Sequence, residues 1–181
     1  VTPSTPIDAK GLLLTSIRDP DPVVFFEHKS LYSTEGLVPE EAYSIPLGEA
    51  SIAREGADVT IVAWLNMVPA ALEAADDLSL EGIDLEVIDL RSLIPLDEQT
   101  ITQSVLKTGR LVVAHEAVTR AGFGAEVTAV VANSDAVHHL KAPVQRVGNP
   151  GVPVPHSDRL NTHIIPSKDD LITAVRIVPS T

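Results

Sequence analysis

The sequence predicts an α/β domain, a three-layer α/β/α sandwich around a mostly parallel five-stranded sheet. Three observations carry this reading. From residue 50 onward, short apolar runs alternate with longer segments of helical period. The run Leu85–Ile88 reads as a buried strand, with Asp89 and Arg91 following at its C-terminal end and Pro95-Leu96-Asp97 opening a new helix. Polar residues at that end of a strand are where an open α/β sheet meets ligands or neighbouring subunits. Finally, glycines and cap residues fall where the helix ends should be.

The elements follow in order. Thr5 or Ser4 can cap a helix over 7–17, with Pro6 in its first turn and Asp8 near its positive end. Asp19-Pro20-Asp21-Pro22 stops that helix, and Val23-Val24-Phe25-Phe26 reads as a strand. One helix and one strand cannot bury their own faces, so the opening segment is expected to need further structure and the chain to be a piece of a longer protein. Residues 27–48 lack periodicity and read as a linker. Strands are then predicted at 50–54, 59–63, 85–88, 111–114 and 144–147, and helices at 68–80, 98–108, 124–132 and 168–177. The first two strands, separated by Glu55-Gly56-Ala57-Asp58, are expected to form a hairpin with an antiparallel edge strand. Gly82 and Gly109 suit helix C-caps, and Asp97 and Ser167 suit N-caps.

Composition removes several function classes. Apolar residues make up 44% of the 181 positions and aromatics only 3%, so Val, Ile, Leu and Ala must build the core. No cysteine is present, which excludes disulfides and thiolate metal sites and fits a reducing compartment. A formal charge of −12 argues against nucleic acid and anionic membranes as partners and favours basic ones. No apolar run approaches the roughly 20 residues of a membrane span. A cytoplasmic protein is expected.

Four groups of residues invite chemistry. His115-Glu116 ends the fourth strand; adjacent residues of an extended chain point to opposite faces, so a structural or interface role is preferred over a catalytic dyad. Gly122-Phe123-Gly124-Ala125-Glu126 opens a helix, but Glu126 places negative charge in the turn, which favours close packing over anion binding. His138, His139, His156 and His163 lack a spacing that would converge on one ion. Val152-Pro153-Val154-Pro155-His156 is a stiff extended segment, either a presenting surface or a plain loop. No Gly-x-Ser-x-Gly and no phosphate-binding loop is present. From the residues alone, no catalytic or cofactor-binding residue can be assigned.

Several runs together resemble the β subunit of the thiamine-diphosphate-dependent 2-oxo acid dehydrogenase decarboxylase component, of the pyruvate, branched-chain 2-oxo acid or acetoin type. They are Pro3-Ser4-Thr5-Pro6-Ile7-Asp8-Ala9-Lys10-Gly11, Ile17-Arg18-Asp19-Pro20-Asp21-Pro22-Val23-Val24-Phe25-Phe26-Glu27-His28-Lys29 and Val87-Ile88-Asp89-Leu90-Arg91. Lys107-Thr108-Gly109-Arg110-Leu111-Val112-Val113-Ala114-His115-Glu116-Ala117 and Gly122-Phe123-Gly124-Ala125-Glu126 continue the match.

The resemblance implies that residues 1–46 are the end of a pyrimidine-binding domain plus a linker, and residues 47–181 a transketolase-type C-terminal domain. It implies thiamine diphosphate with magnesium in the full enzyme, not bound by this segment alone, and an inactive isolated chain. It places a structural potassium ion by position at Ser16, Ile17, Asp19 and Asp21. Implied partners are an α subunit and a second β subunit in an α2β2 assembly, and the basic subunit-binding domain of an acyltransferase. The implied location is the cytoplasm, or the mitochondrial matrix in a eukaryote. Two other readings stand beside this one: a fragment of another transketolase-like enzyme, and a non-enzymatic acidic interaction domain.

Overall fold

The computed structural model describes residues 1–178. Five strands form one sheet: β1 (Ser51–Arg54), β2 (Val59–Ala63), β3 (Leu85–Asp89), β4 (Leu111–Val118) and β5 (Gln145–Asn149), in the order β1-β3-β2-β4-β5. β2 pairs parallel with β3 and β4, and β4 parallel with β5, whereas β1 runs antiparallel on the edge. The helices are α1 (Pro6–Arg18), α2 (Met67–Ser79), α3 (Glu98–Thr108), α4 (Gly124–Ala132), the short α5 (Asp158–Asn161) and α6 (Lys168–Ile177).

Each face of the sheet carries a core of small and branched aliphatics. Ile61, Val87 and Val112 face one way and pack with Met67, Ala71 and Leu78 of α2 and Leu171 and Val175 of α6. Val62, Ile88 and Val113 face the other way, against Ile101 and Val105 of α3 and Val127 and Val131 of α4. The predicted three-layer sandwich is therefore formed, as alternation along each strand requires.

Local chemistry fixes the helix ends. The Thr5 hydroxyl accepts from the Asp8 N–H at 3.2 Å, and Pro6 opens α1. Asp97 caps α3 by accepting from the Thr100 N–H at 2.9 Å, and Gly109 closes it at φ 71°. Ser167 and Asp170 form a reciprocal capping box on α6.

Three expectations need correction. β1 does not form a hairpin with β2: Gly56 crosses the backbone of Leu85 and Glu86, and β1 lies on β3. All five residues of β2 are buried between two parallel neighbours, which leaves no free edge for β1. Residues 23–26 are extended but join no sheet; their pairing is limited to Val1, which donates to the Val24 carbonyl at 2.8 Å and accepts from the Phe26 N–H at 2.9 Å. Val24 and Phe26 stay exposed, as do Leu13 and Ile17 of α1. The cap of α2 is Leu80, with Gly82 two residues beyond it at φ 81°. The sheet and its helices lie within residues 47–178; the last three positions of the predicted second domain are outside the described residues.

Candidate functional site at the C-terminal edge of the sheet

β2 lies between β3 and β4, so the chain turns back on itself across the C-terminal ends of these strands. In open α/β sheets the crevice at such a reversal receives ligands. Here it is filled by the protein's own opening segment, held by two groups of polar side chains.

The first group sits at the end of β3. Asp89 is only 2% exposed. Ser4 Oγ donates to its Oδ2, and the Arg91 N–H donates to its Oδ1 at 3.1 Å. The Arg91 guanidinium reaches Asp8 Oδ1 of α1 at 2.7 Å. Arg91 is held in the left-handed region at φ 56°, and its carbonyl accepts from the Thr2 N–H at 2.8 Å. Burial pushes the Asp89 carboxyl up to about 6, outweighing the hydrogen bonds from Ser4 and Arg91 that pull it down.

The second group spans the ends of β2 and β4. His28 Nε2 meets Glu116 Oε2 at 2.9 Å, and its Nδ1 accepts from the Ser30 N–H at 3.3 Å. Ser30 Oγ donates to Asn66 Oδ1 at 2.8 Å, just past β2. Beside Glu116, His115 is fully buried and stacks on Trp64, with centroids 5.1 Å apart and planes 16° apart. Burial lowers the pKa of the His115 ring. A Cβ on Gly124 would lie 2.5 Å from its Nε2, and one on Gly122 only 1.9 Å from the Val118 carbonyl. The glycine turn is therefore a close-packing device around His115, and His115 and Glu116 do point to opposite faces.

The other candidate residues are separate. Ser16 donates to the Leu12 carbonyl at 2.7 Å, Asp19 Oδ1 accepts from the Asp21 N–H at 2.9 Å, and Ile17 is 71% exposed. His138, His139, His156 and His163 are exposed, and no group of three or more potential metal-binding side chains occurs among the described residues. An apolar groove of 580 Å³, walled by Val24, Phe26, Leu47, Leu93, Ile94 and Phe123, carries Asp19 and Asp21 at its lip.

The residues present do not fit thiamine diphosphate. Ser4, Asp8, His28 and Ser30 fill the crevice, and its charged groups are mostly carboxylates. The part played here by Ser4, His28, Ser30 and Asn66 had no signal in the sequence, because their partners lie 36 to 88 positions away.

The profile of the family described as "Transketolase, C-terminal domain" matches residues 48–171. The chain belongs to the transketolase C-terminal domain family. It is 52% identical over 176 residues to the β subunit of acetoin:2,6-dichlorophenolindophenol oxidoreductase from Cupriavidus necator, covering 97% of this chain and 52% of that protein. It is 49% identical to the pyruvate dehydrogenase E1 component β subunit of Bacillus subtilis (98% and 55% covered). A mitochondrial 2-oxoisovalerate dehydrogenase β subunit of Arabidopsis thaliana is 46% identical (97% and 49%). The chain thus spans about half the length of these relatives. Among solved structures, a split-gene transketolase described as an inactive β4 tetramer superposes with a TM-score of 0.67 at 32% identity, over 80% of this chain and 45% of that one. The resemblance to these β subunits and the α/β class read from the sequence are both borne out.

Proposed function

We propose that this chain is the C-terminal part of the β subunit of a 2-oxo acid dehydrogenase, serving subunit assembly within an enzyme that decarboxylates a 2-oxo acid oxidatively and passes the acyl group to lipoyl groups. One observation carries this reading: 44 to 52% identity to such β subunits over nearly the whole chain. The closed C-terminal edge supports it, since a sheet whose ligand crevice is filled by its own segment is suited to holding parts together. Residues 1–46 are then the end of a pyrimidine-binding domain and a linker, and residues 47–181 the C-terminal domain. The exposed Leu13, Ile17, Val24 and Phe26 are surfaces for the remainder of the subunit. Thiamine diphosphate and magnesium belong to the full enzyme, outside this chain.

The partners follow from the same reading: an α subunit, a second β subunit, and the basic subunit-binding domain of an acyltransferase drawn to the charge of −12. Binding to that basic domain should weaken as salt rises; salt-independent binding would remove it from the list. A potassium ion at Ser16, Ile17, Asp19 and Asp21 is supported by an all-oxygen donor set at the negative end of α1. A thermal midpoint identical in potassium and in a bulky organic cation would dismiss it. The compartment is the cytoplasm, or the mitochondrial matrix in a eukaryote; no helix among the described residues is long and apolar enough to cross a membrane.

The direct test grafts this chain in place of the corresponding half of the Bacillus subtilis β subunit and supplies the α subunit. Dye reduction is assayed with pyruvate, branched-chain 2-oxo acids and acetoin. Assembly and turnover with one of them are expected. An assembled but inert heterotetramer would leave the reading without support.

A further inference from the structure

We propose that Asp89 is a proton-linked latch: the opening segment 1–18 docks on the end of β3 more tightly when the Asp89 carboxyl carries a proton than when it is ionised. The geometry makes the case. Two carboxylates, Asp89 and Asp8, lie in one nearly sealed cluster, each 2% exposed. A single guanidinium, that of Arg91, serves both, and it is committed to Asp8 at 2.7 Å. Asp89 is left with two neutral donors, the Ser4 hydroxyl and the Arg91 N–H. Its neighbours in the sheet, Ser51 on β1 and Ala63 on β2, bring no charge. Asp8 on α1 and Arg91 are the charged groups that act on it from the elements packed around it.

With Asp89 ionised, the cluster holds two negative charges against one positive charge away from water. A proton on Asp89 leaves a balanced Asp8–Arg91 pair and turns the Asp89–Ser4 contact into a hydrogen bond in which the carboxyl can donate to Ser4 Oγ. Lifting the segment takes Ser4 and Asp8 away and returns Asp89 to water, where the ionised form is favoured. Docking therefore takes up a proton.

The sign follows from linkage. The docked carboxyl titrates at about 6 and the ordinary one at 3.8. Docking is tightest below the lower value and weakens as pH rises toward the upper one. Above that it levels off, with a total change of roughly hundredfold in the docking equilibrium. The His28–Glu116 contact, 2.9 Å long, anchors the chain just beyond this segment to another strand and supplies the control.

The test measures hydrogen exchange in peptides covering α1, corrected for intrinsic rates and referenced to β2, between pH 4.5 and pH 8 on the 181-residue chain. In the unaltered protein, protection of α1 should fall by one to two orders of magnitude across this range, as the shift implies. In Asp89→Asn it should stay high and flat, and in His28→Ala it should be lower throughout with the slope intact. A flat profile in the unaltered protein, an unchanged slope in Asp89→Asn, or a slope lost in His28→Ala each overturns the proposal. Should Asp89→Asn not fold, carboxyl carbon NMR of the unaltered chain decides: a midpoint near 6 upholds the latch and one near 4 refutes it.

Discussion

Replacing Lys107 by Met isolates Glu86, a carboxylate buried within the sheet. Glu86 of β3 has a side chain 1% exposed, and it is held by Lys107 Nζ and the Ser104 hydroxyl. Thr60 of β2 joins Ser104 at 2.6 Å and Thr108 at 2.8 Å, so the polar groups under α3 form a closed set. Breaking a buried ion pair by removing one partner costs about 3–5 kcal/mol. The Lys107 side chain is 42% exposed, so water can approach from its side, and Ser104 remains as a donor. We therefore expect Lys107→Met to lose about 2–3 kcal/mol, or roughly 5–10 °C in thermal midpoint for a domain of this size. Glu86→Gln with Lys107→Met should recover part of it, giving a coupling of at least about 1 kcal/mol in a double-mutant cycle.

The pH dependence sharpens the test. Burial pushes the Glu86 carboxyl up, but Lys107 and Ser104 outweigh it and hold the group below its ordinary 4.5. The native stabilisation is thus present above 4.5 and is lost as pH falls through the lower folded value. In Lys107→Met burial dominates, so that variant gains stability on acidification and the two curves converge. Urea unfolding between pH 4 and pH 8 reads this directly. A loss below about 0.5 kcal/mol at pH 7, or a gap unchanged at pH 4, would refute the reasoning, because surface pairs contribute only about that much.

Three further outcomes are expected. Gly122→Ala places a Cβ 1.9 Å from the Val118 carbonyl and should cost about 1–3 kcal/mol in urea unfolding, whereas a neutral result would mean that the turn is loose. His115, whose pKa burial lowers, contributes stability that is present above its ordinary 6.5 and lost as pH falls through the lower folded value. In an Asp89→Asn background, acid unfolding should show that decline, and His115→Leu should flatten it. Ser167→Ala removes the α6 capping box and should lower stability by about 1 kcal/mol; an unchanged urea midpoint would count against it.

The residues that made the fold legible were those whose information is local. Asp97, Gly109 and Ser167 mark helix ends by their own chemistry, and α3, α4 and α6 fall at the predicted bounds. Strand partnership is not local. Nothing in Ser51–Arg54 distinguishes β3 from β2 as its neighbour, and the choice rests on Gly56 letting the chain cross Leu85. The run 23–26 has the composition of a strand but lacks a sheet to join, so it stays extended. For the site, Asp89 and Arg91 were visible as a polar strand end, but their side-chain partners were not. Arg91 is claimed by Asp8, 83 residues earlier, because backbone geometry already delivers its N–H to Asp89.

Holding residues 1–36 by contacts at or just past the ends of three strands makes the peptide joint that follows them mechanically redundant. Leu37 is 98% exposed, and beyond it Lys10 gathers the carbonyls of Pro39, Glu40 and Glu41 while Tyr43 donates to the Ile7 carbonyl at 2.6 Å. A protease cut at Leu37 should therefore yield two polypeptides that travel together through gel filtration and part only in denaturant; early separation would show that covalent tethering does the holding. A fold bound in this way should tolerate having its gene divided there.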